Sequence, residues 1–407
     1  MRQRLTLALA VALNGGFVAL TVAAQTWVPS DAPSNYWSGV ATSSDGLKMV
    51  ACSLYEGVDN TTNLGAIYLS TNGGTNWSLA TSAPSNNWNG VASSTNGTKL
   101  AAVYYSSYFY TSTNSGVTWQ SNTVPFFGFA IASSADGNRL LVYGVDNNSQ
   151  RSVFTSPDEG DSWTKAILPT NEAWYAVASS YNGSNLIVVA NSDTAGTNPG
   201  VIYTSTNAGT SWKSNNIPGN YWNAVASSGS GSNLLAVAAD GIVFTSADAG
   251  NNWTQRNGPF QSPGGGGAYL TGVAVSGDGT RMLAVANSGQ IFSSYDSGVT
   301  WVDDNAPQLF WQFAAASLDG THAVSLGPGQ GIYIVQSPSA LSIALAGKNV
   351  LLTWPWPSAG FGLQINTNLA NGKTWANVTN VPLVTNLQNQ VTLPHTNSAA
   401  FFRLTGP

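Results

Sequence analysis

Charged residues, histidine and cysteine are scarce in this sequence of 407 residues. Asp, Glu, Lys and Arg together make up 8% of it, against about a quarter in an average protein. Because Cys52 is the only cysteine, no internal disulfide can form, and clustered cysteine or histidine ligands for a metal are missing. The net charge of −5 is spread along the chain without a basic stripe, which argues against nucleic acid as a partner. We expect no metal and no other cofactor.

Residues 1–24 have the composition of a secretory signal peptide. Arg2 and Arg4 give a positive start, residues 5–13 are apolar, and residues 22–24 (Val-Ala-Ala) form a small-residue cleavage site. The alternative is an uncleaved membrane anchor, which an Asn-Gly-Gly interruption of the apolar stretch disfavours. We therefore expect a protein that is secreted or lies at the cell surface or in the periplasm, with no membrane span after cleavage.

Gly, Ser, Thr and Asn are abundant, and they recur in a phrase of eight residues that we name the box. Its pattern is Ser, any residue, Asp or Asn, any residue, Gly, two further residues and Trp, and its copies begin at Ser70, Ser112, Ser156, Ser205, Ser246 and Ser294. The Asp or Asn oxygen is predicted to accept backbone N–H bonds about two residues on, Gly permits a positive φ, and Trp covers the turn. Because Asn and Asp both occur at the third position, the box is structural rather than catalytic or metal-binding.

A second phrase, which we name the inner phrase, resembles Trp-Asn-Gly-Val-Ala-Ser-Ser. Its copies begin at Trp37, Trp88, Gly128, Trp174, Trp222, Leu270 and Trp311. Each copy starts a unit of four short strands in roughly 40 to 50 residues, which is the size of a propeller blade. The seventh unit lacks a box, while residues 25–27 (Gln-Thr-Trp) match the end of one, so the N-terminal segment is predicted to supply the outer strand of the last blade.

The box rhythm stops after Val335, and Ser337-Pro338-Ser339 marks a boundary. Six short apolar runs then predict a small β-sandwich. The sequence therefore predicts an all-β protein: a seven-bladed β-propeller closed by the mature N-terminal strand, plus a small C-terminal β-sandwich. The predicted divisions are a signal peptide over 1–24, the propeller over 25–336 and the small β domain over 337–407.

The boxes resemble the Asp-box, or BNR, repeats of the sialidase-like propeller superfamily, over roughly residues 25–335. That superfamily includes sialidases, xyloglucan-degrading hydrolases, sortilin-type receptors and photosystem II assembly factors, so the resemblance implies a fold and not a chemistry. Sialidases hold a carboxylate with three arginines, whereas only Arg151 and Arg256 remain here outside the leader, the repeated turns and the tail. Phe401-Phe402-Arg403-Leu404 resembles the end of C-terminal modules on exported proteins of Verrucomicrobia-like bacteria.

Aromatic residues mark the start of the inner phrase. The candidate binding residues are its five opening tryptophans, Trp37, Trp88, Trp174, Trp222 and Trp311. The preceding residue is aromatic in five copies: Tyr36, Phe127, Tyr221, Tyr269 and Phe310. Two interpretations remain open. The tryptophans either pack between adjacent blades or form a collar around the channel mouth that stacks on sugar rings or grips a peptide.

An exported, monomeric, non-enzymatic propeller is the function we expect, with a glycan or an extracellular or periplasmic protein bound on its loop-bearing face. The alternative is a glycoside hydrolase or lyase, which needs two carboxylates facing one bond. The loops of that face supply Glu56, Asp59, Asp146, Glu172, Asp193, Asp303 and Asp304. No spacing singles out a pair among them, so no catalytic residue is assigned.

Overall fold

The computed structural model describes residues 8–9, 26–57, 63–215, 217–260 and 267–336, and then 342–346, 349–355, 362–366, 375–380, 382–385, 388–394 and 401–405. Two compact units are present, and one of them comprises Trp27–Val335. Every regular element in the described residues is a β-strand. No helix in that part of the chain has the length and apolar character needed to cross a bilayer.

Seven antiparallel sheets make up the unit Trp27–Val335, and we number them blades 1 to 7 in chain order. From the innermost strand outward, the first three blades contain Asn35–Thr42, Met49–Tyr55, Ile67–Ser70 and Ser78–Leu79; Trp88–Ser93, Leu100–Tyr104, Tyr108–Ser112 and Gln120–Thr123; and Phe126–Ser133, Leu140–Asp146, Arg151–Ser156 and Thr164–Lys165. The next three contain Glu172–Ser179, Leu186–Asp193, Ile202–Ser205 and Lys213–Ser214; Trp222–Ser227, Leu234–Ala238, Val243–Ser246 and Thr254–Arg256; and Leu270–Val275, Met282–Ala286, Ile291–Ser294 and Val302–Asp303. Blade 7 contains Phe313–Ala316, Ala323–Leu326, Tyr333–Gln336 and Thr26–Pro29, while Pro328–Gln330 adds a fifth strand to blade 1.

The ring of blades is closed. Each innermost strand contacts the innermost strand of the next blade, and Phe313–Ala316 of blade 7 contacts Asn35–Thr42 of blade 1. The N-terminal strand Thr26–Pro29 bonds to Tyr333–Gln336 as the outer strand of blade 7. These contacts confirm the predicted seven-bladed propeller and its closure by the N-terminal strand, which leaves no unpaired junction between the first and last blades. Gln25 itself lies outside the described residues.

A buried carboxylate holds the closing strand in place. The indole N–H of Trp27 donates to Oδ2 of Asp304 at 3.1 Å, and the hydroxyl of Ser293 donates to the same oxygen at 2.7 Å. Asp304 is only 4% exposed, so both donors satisfy an acceptor that has lost its water. On the other side, the N–H of Trp77 in blade 1 donates to Asp31 at 2.8 Å. The N-terminal segment is therefore fastened to both neighbouring blades.

Each box is a hydrogen-bonded turn of one geometry. In blade 3 the Ser156 hydroxyl donates to Asp158 at 2.9 Å, and the N–H of Gly160 donates to the Ser156 hydroxyl at 2.9 Å. Asp158 also accepts the N–H of Ser162 at 2.9 Å, four residues on and not two as expected. The extra reach arises because Glu159 and Gly160 both have positive φ, which curls the chain back over the carboxylate. The expected positive φ of the box glycine is found in all six copies.

The C-terminal unit contains two four-stranded sheets. One is formed by Ser342–Ala346, Asn349–Pro355, Gln388–Pro394 and Leu383–Thr385, and the other by Ala8–Leu9, Phe401–Thr405, Gly362–Asn366 and Ala376–Asn377. Buried side chains from both sheets share one core, which gives a small sandwich: Val350, Leu352, Leu363, Val391 and Phe402. Of the predicted signal peptide, only Ala8–Leu9 are described, and cleavage after residue 24 stays a prediction.

Candidate binding site

A cavity of about 740 Å³ lies at the centre of the ring and is lined by all seven blades. Each blade contributes three consecutive residues, which lie in its innermost strand except that Gln312 directly precedes the strand of blade 7: 38–40, 89–91, 129–131, 175–177, 223–225, 271–273 and 312–314. Three in a row line the cavity because these strands present an edge and not a face, each being the inner edge strand of its sheet apart from the added strand in blade 1. The wall therefore combines backbone N–H and C=O groups with side chains that range in size from glycine to tyrosine.

A closed ring of backbone hydrogen bonds surrounds the channel where the innermost strands end. The residue before each turn donates its N–H to the equivalent residue of the next blade at 2.6–2.8 Å, in the order Ser44, Thr95, Ala135, Tyr181, Gly229, Gly277, Leu318 and back to Ser44. Strand-like spacing of about 5 Å puts the Cα atoms of seven such residues roughly 6 Å from the centre. The Tyr181 side chain runs along this ring, because a Cβ on Gly229 would lie 2.6 Å from its ring and a Cβ on Gly277 2.7 Å from its hydroxyl. This end is narrow, and we name the opposite end the mouth.

Exposed aromatic side chains surround the mouth. Tyr175, Tyr269 and Phe310 line the cavity and are 44%, 47% and 67% exposed, and Tyr36 lines it as well. These rings come from blades 1, 4, 6 and 7. Clustered exposed aromatics on a monomeric protein are unusual unless they contact a partner.

A group of four rings that we name the aromatic arc continues this surface across blades 2 and 3. Tyr105, which is 60% exposed, lies 5.1 Å from Phe127 and 5.4 Å from Phe129 between ring centroids. Phe129 in turn stacks on Tyr143 at 5.4 Å with an interplanar angle of 18°. Phe129 and Tyr143 line the cavity, so the arc runs from the outer surface into the channel.

No Asp, Glu, Lys, Arg or His is among the described residues that line the cavity. Its polar side chains are amides, hydroxyls and phenols: Tyr36, Ser38, Asn89, Tyr143, Tyr175, Asn223, Tyr269, Thr271, Asn287 and Gln312. Burial raises the pKa of Tyr143 to about 12 and also raises that of Tyr175. Both phenols therefore stay neutral at physiological pH, where each can donate and accept a hydrogen bond.

Four of these polar groups also join neighbouring blades. Each donates a hydrogen bond to the carbonyl of the residue that opens the inner phrase of the next blade. The donor–acceptor distances are 2.6 Å for Ser38, 2.9 Å for Asn89, 2.9 Å for Asn223 and 2.7 Å for Thr271. These bonds fix the side chains, so the polar wall is organised before any ligand arrives.

The five candidate tryptophans are buried, and among them Trp311 also lines the cavity: Trp37, Trp88, Trp174, Trp222 and Trp311. Their side chains are 0–1% exposed, and each packs edge-on against an aromatic residue of the third strand of its own blade, at centroid distances of 5.1–5.9 Å. The reason is the direction of the strand: its edge faces the channel, so its side chains point between the blades. In this structure the five rings pack between blades, and a role for any of them in ligand binding stays a prediction.

The two blades without this tryptophan contain a phenylalanine in its place. Phe126 stacks on Phe154 of the third strand at 4.5 Å in blade 3, and Phe260 packs edge-on against Phe292 at 5.7 Å in blade 6. Both phenylalanines are almost fully buried. The packing role is thus present in all seven blades, which accounts for the aromatic residue without reference to a ligand.

None of the described loop carboxylates lines the cavity. Asp146 accepts bonds from two backbone N–H groups at 2.9 Å and from Lys165 at 2.6 Å, and Asp303 accepts the N–H of Asn305 at 2.8 Å. Glu56 accepts the hydroxyl of Tyr68 at 3.1 Å. These carboxylates stabilise their own loops, while Asp59 lies outside the described residues.

Glu172 and Asp193 are the exception, because they are direct neighbours on adjacent antiparallel strands of blade 4. Burial and the nearby Asp193 raise the pKa of Glu172. Hydrogen bonds from Thr197 and Asn198 hold the pKa of Asp193 well below its usual value. The pair therefore has separated pKa values, but both acceptor oxygens of Asp193 already serve its loop at 2.7 Å.

Reactive thiols and metal sites are not found in the described part of the chain. Cys52 is fully buried, and burial raises the pKa of its thiol to about 12, so the thiol is unreactive. No group of three or more His, Cys, Asp or Glu side chains in the described residues is arranged to hold a metal ion.

Sequence analysis does not identify four aromatic residues of the candidate site: Tyr105, Phe129, Tyr143 and Tyr175. For two of them, Phe129 and Tyr143, the sequence nevertheless contains a signal. At the position of Phe129 the other inner phrases have Ser38, Asn89, Tyr175, Asn223, Thr271 and Gln312. Strand pairing places Tyr143 where other blades have Cys52, Val103, Val189, Val237 and Val285. Comparison of the copies position by position therefore distinguishes blade 3.

Comparison with known proteins supports the fold. No protein-family model and no curated protein matches the chain. Among solved structures, YCF48 bound to D1 peptide is 14% identical with a TM-score of 0.56, covering 78% of this chain and 98% of that one. The β-propeller domain of Myceliophteria thermophila Cps50 (Swd1) is 13% identical with a TM-score of 0.56, covering 76% and 98%. U3-55K is 12% identical with a TM-score of 0.59, again covering 76% and 98%. At these identities the likeness shows a shared β-propeller fold.

Proposed function

We propose that this chain is an exported, non-enzymatic propeller of the Asp-box type that binds a glycan or a protein segment at the mouth of its central channel. The observation that carries the proposal is the cavity of about 740 Å³, lined by all seven blades, free of charged side chains among the described residues and bordered by exposed aromatic rings. Its volume lies within the range of small-ligand sites. A rigid wall with fixed polar groups binds without a large ordering cost.

The structural neighbours are consistent with a binding role. The solved YCF48 structure contains a D1 peptide, so a protein of this fold takes a peptide. By analogy, polypeptides are among the candidate ligands of this chain. The free backbone edges around the channel suit such a ligand, because an extended peptide adds main-chain hydrogen bonds to an exposed strand edge.

A glycan-active hydrolase is the second candidate, and the Glu172 and Asp193 pair is what favours it. Directly opposed residues on antiparallel strands have Cβ atoms about 5 Å apart, so their carboxyl groups can come within the roughly 5 to 10 Å that separates the two carboxylates of a glycosidase. A raised pKa on one carboxyl and a lowered pKa on the other match an acid and a nucleophile. The pair does not line the central cavity, so this activity would require a separate site on blade 4.

The deciding experiment screens the purified full chain against a glycan array, a peptide library and a panel of polysaccharides, with binding and sugar release measured on the same preparation. We expect binding without release, and we expect the double variant Tyr269→Ala, Phe310→Ala to lose it. Val117→Ala is the matched control, because Val117 is an exposed apolar residue in the box of blade 2. Sugar release that Glu172→Gln abolishes would establish the hydrolase instead.

Export and a role of the C-terminal unit in surface attachment belong to the same proposal. Its support is the composition of residues 1–24 and the Phe-Phe-Arg-Leu phrase at 401–404. N-terminal sequencing of the protein recovered outside the cytoplasm is expected to begin at Gln25. A start at Met1 in a membrane fraction would support the uncleaved anchor.

A further inference from the structure

We propose that a groove between blades 3 and 4 binds an apolar acid, whose carboxylate pairs with Arg139. The groove is a cavity of about 400 Å³ lined by residues of these two blades, a volume in the range of small-ligand sites. It lies at the end of the propeller that contains the box turns, away from the channel mouth. The proposal therefore goes beyond the function proposed for the mouth and does not depend on it.

The equivalent groove between blades 2 and 3 is closed by one of the protein's own carboxylates. The ammonium of Lys99 donates to Glu159 and to Asn138, each at 2.6 Å, and the remaining cavity is about 10 Å³. Eight positions of this closed groove have an equivalent in the open one: Lys99 and Arg139, Leu100 and Leu140, Thr111 and Thr155, Ser112 and Ser156, Thr113 and Pro157, Ser133 and Ser179, Gly137 and Gly183, and Leu140 and Leu186. The two grooves are built alike and differ in what fills them.

The difference lies at the fourth residue of the box. This residue is Glu159 in blade 3 and Ala208 in blade 4, and the two have nearly the same φ, 62° and 58°. Both line their grooves. Where Lys99 meets a carboxylate, Arg139 therefore meets a methyl group.

Arg139 enters its groove as Lys99 enters the closed one. Each side chain crosses to the next blade over the glycine of a turn. A Cβ on Gly183 would lie 2.6 Å from Cδ of Arg139, and a Cβ on Gly137 would lie 2.9 Å from Cδ of Lys99. Arg139 takes part in neither ion pair of the described residues. The guanidinium thus has the position of the ammonium without its carboxylate.

A ligand with a single negative charge suits this groove. Lys165 lines it as well, but its ammonium is paired with Asp146 at 2.6 Å, so Lys165 contributes its apolar stem. No Asp or Glu is among the described lining residues, which leaves the charge of Arg139 uncompensated there. A planar guanidinium pairs with a carboxylate through two parallel N–H bonds, and Glu159 shows that the equivalent groove accepts a carboxylate.

An exposed isoleucine provides the apolar part of the site. Ile167 lines the groove and is 92% exposed. It lies four residues after the box tryptophan of its blade, a position that is polar in all the other blades: Asp31, Thr81, Thr123, Asn216, Asn257 and Asn305. The fold therefore does not require an apolar residue there. Beside the buried Leu140 and Leu186, Ile167 offers a surface that an apolar group of the ligand would remove from water.

A chemical-shift titration of the ¹⁵N-labelled full chain tests the proposal. The probes are N-acetyl-leucine, its uncharged amide, and a short peptide ending in leucine with a free or an amidated C-terminus. We expect the free acids to shift the amide signals of Ala208 and Gly209, and the amidated forms to bind about tenfold more weakly. Tighter binding of N-acetyl-leucine would indicate a small-molecule ligand and tighter binding of the peptide a polypeptide C-terminus, and either result supports the proposal.

Ala208→Glu supplies the missing carboxylate from the protein itself. We expect it to pair with Arg139, to close the groove and to abolish binding of the acids. Ala249→Glu is the matched control, because Ala249 has the same φ of 58° in the box of blade 5, and blade 4 has Asn185 in place of the cation. This control should bind the acids as the unmodified chain does.

Arg139→Gln keeps the test decisive should the glutamate variants fail to fold, because Arg139 is exposed and its loss should leave the circular dichroism spectrum unchanged. We expect this variant to bind the acids about tenfold more weakly. Equal binding of the acids and their amides, full binding by Arg139→Gln or by a folded Ala208→Glu, or absence of binding to every probe would overturn the proposal. None of these results bears on the mouth, where Tyr269 and Phe310 are tested separately.

Discussion

Truncation of a buried inner-phrase tryptophan measures whether these rings stabilise the fold or contact a ligand. Trp88 is fully buried and lies edge-on to Tyr104 and to Tyr110, each at 5.3 Å. Trp88→Ala removes the largest side chain from the core between blades 1 and 2. Such truncations cost about 3–5 kcal/mol, and the loss of two ring pairs puts this one at the upper end. We expect the same of Trp222→Ala, which loses its edge-on contact with Phe244.

Urea unfolding followed by far-UV circular dichroism is the assay, because it does not depend on the fluorescence of the residue removed. A matched pair of conservative variants separates the contribution of the indole hydrogen bond from that of ring packing. The indole N–H of Trp37 donates to the carbonyl of Gln330 at 2.8 Å, whereas that of Trp88 is buried without an acceptor among the described residues. Trp37→Phe should therefore cost about 1 kcal/mol more than Trp88→Phe. Stability of Trp88→Ala within about 1 kcal/mol of the unmodified chain, together with lost ligand binding, would refute the packing argument.

Three further predictions concern the closing strand, the box and acid stability. Asp304→Ala leaves the indole N–H of Trp27 without its buried acceptor, and we expect a loss of about 2–4 kcal/mol with faster proteolysis of the N-terminal strand; unchanged proteolysis would contradict this. Ala249 has a φ of 58° at the box position where the first box has Gly73. Ala249→Gly should therefore stabilise the protein by about 0.5–1 kcal/mol, which is measured as a higher urea midpoint. A lower urea midpoint would contradict this prediction. The serine hydroxyl four residues on and backbone N–H groups lower the pKa of Asp158. Its contribution to stability is therefore present above the unfolded value of about 3.9 and lost as the pH falls through the lower folded value. Asp158→Asn should show a flatter dependence of urea midpoint on pH between about 5 and 2, and an unaltered dependence would contradict the assignment.

The propeller is predictable from the sequence because its determinants are local and repeated. Each box forms its turn with its own serine, Asp or Asn, glycine and tryptophan, as in Ser156–Trp163. Seven inner phrases but only six boxes leave one blade without a box and an outer strand. Residues 25–27 match the end of a box, which identifies the N-terminal segment as that outer strand. The hydrogen bonds that Asp304 accepts from Trp27 and Ser293 are not predictable in the same way, because these two donors lie in different blades.

The candidate site is less predictable because a strand edge has no sequence signature. Alternation along the inner phrase shows that Trp88 and its equivalents occupy one side of a strand, but it does not say whether that side faces the channel or the next blade. The irregular pairing between Trp88 and Gly90 shifts the alternation at this point, since a bulge re-aims the side chains that follow it. The five aromatic residues that precede the inner phrase fall into two groups. Tyr36, Tyr269 and Phe310 line the cavity, whereas Phe127 and Tyr221 do not.

Repetition nevertheless provides a way to separate packing residues from ligand-binding residues within a single chain. Where an aromatic residue recurs in every blade, as do the seven partners of the third strand, packing is a sufficient explanation. Phe126 shows this, because blade 3 lacks the tryptophan and yet has a ring in the same core. Phe129 and Tyr143 have the opposite property: most other blades omit a ring there and still form the sheet. Tyr143 nevertheless belongs to the buried core between blades 3 and 4, with Phe129 packed against it, so departure from the repeat does not by itself separate binding from packing. Exposure adds the missing criterion: Tyr175, Tyr269 and Phe310 line the cavity and are 44–67% exposed, so substitutions there should alter binding with the least effect on stability.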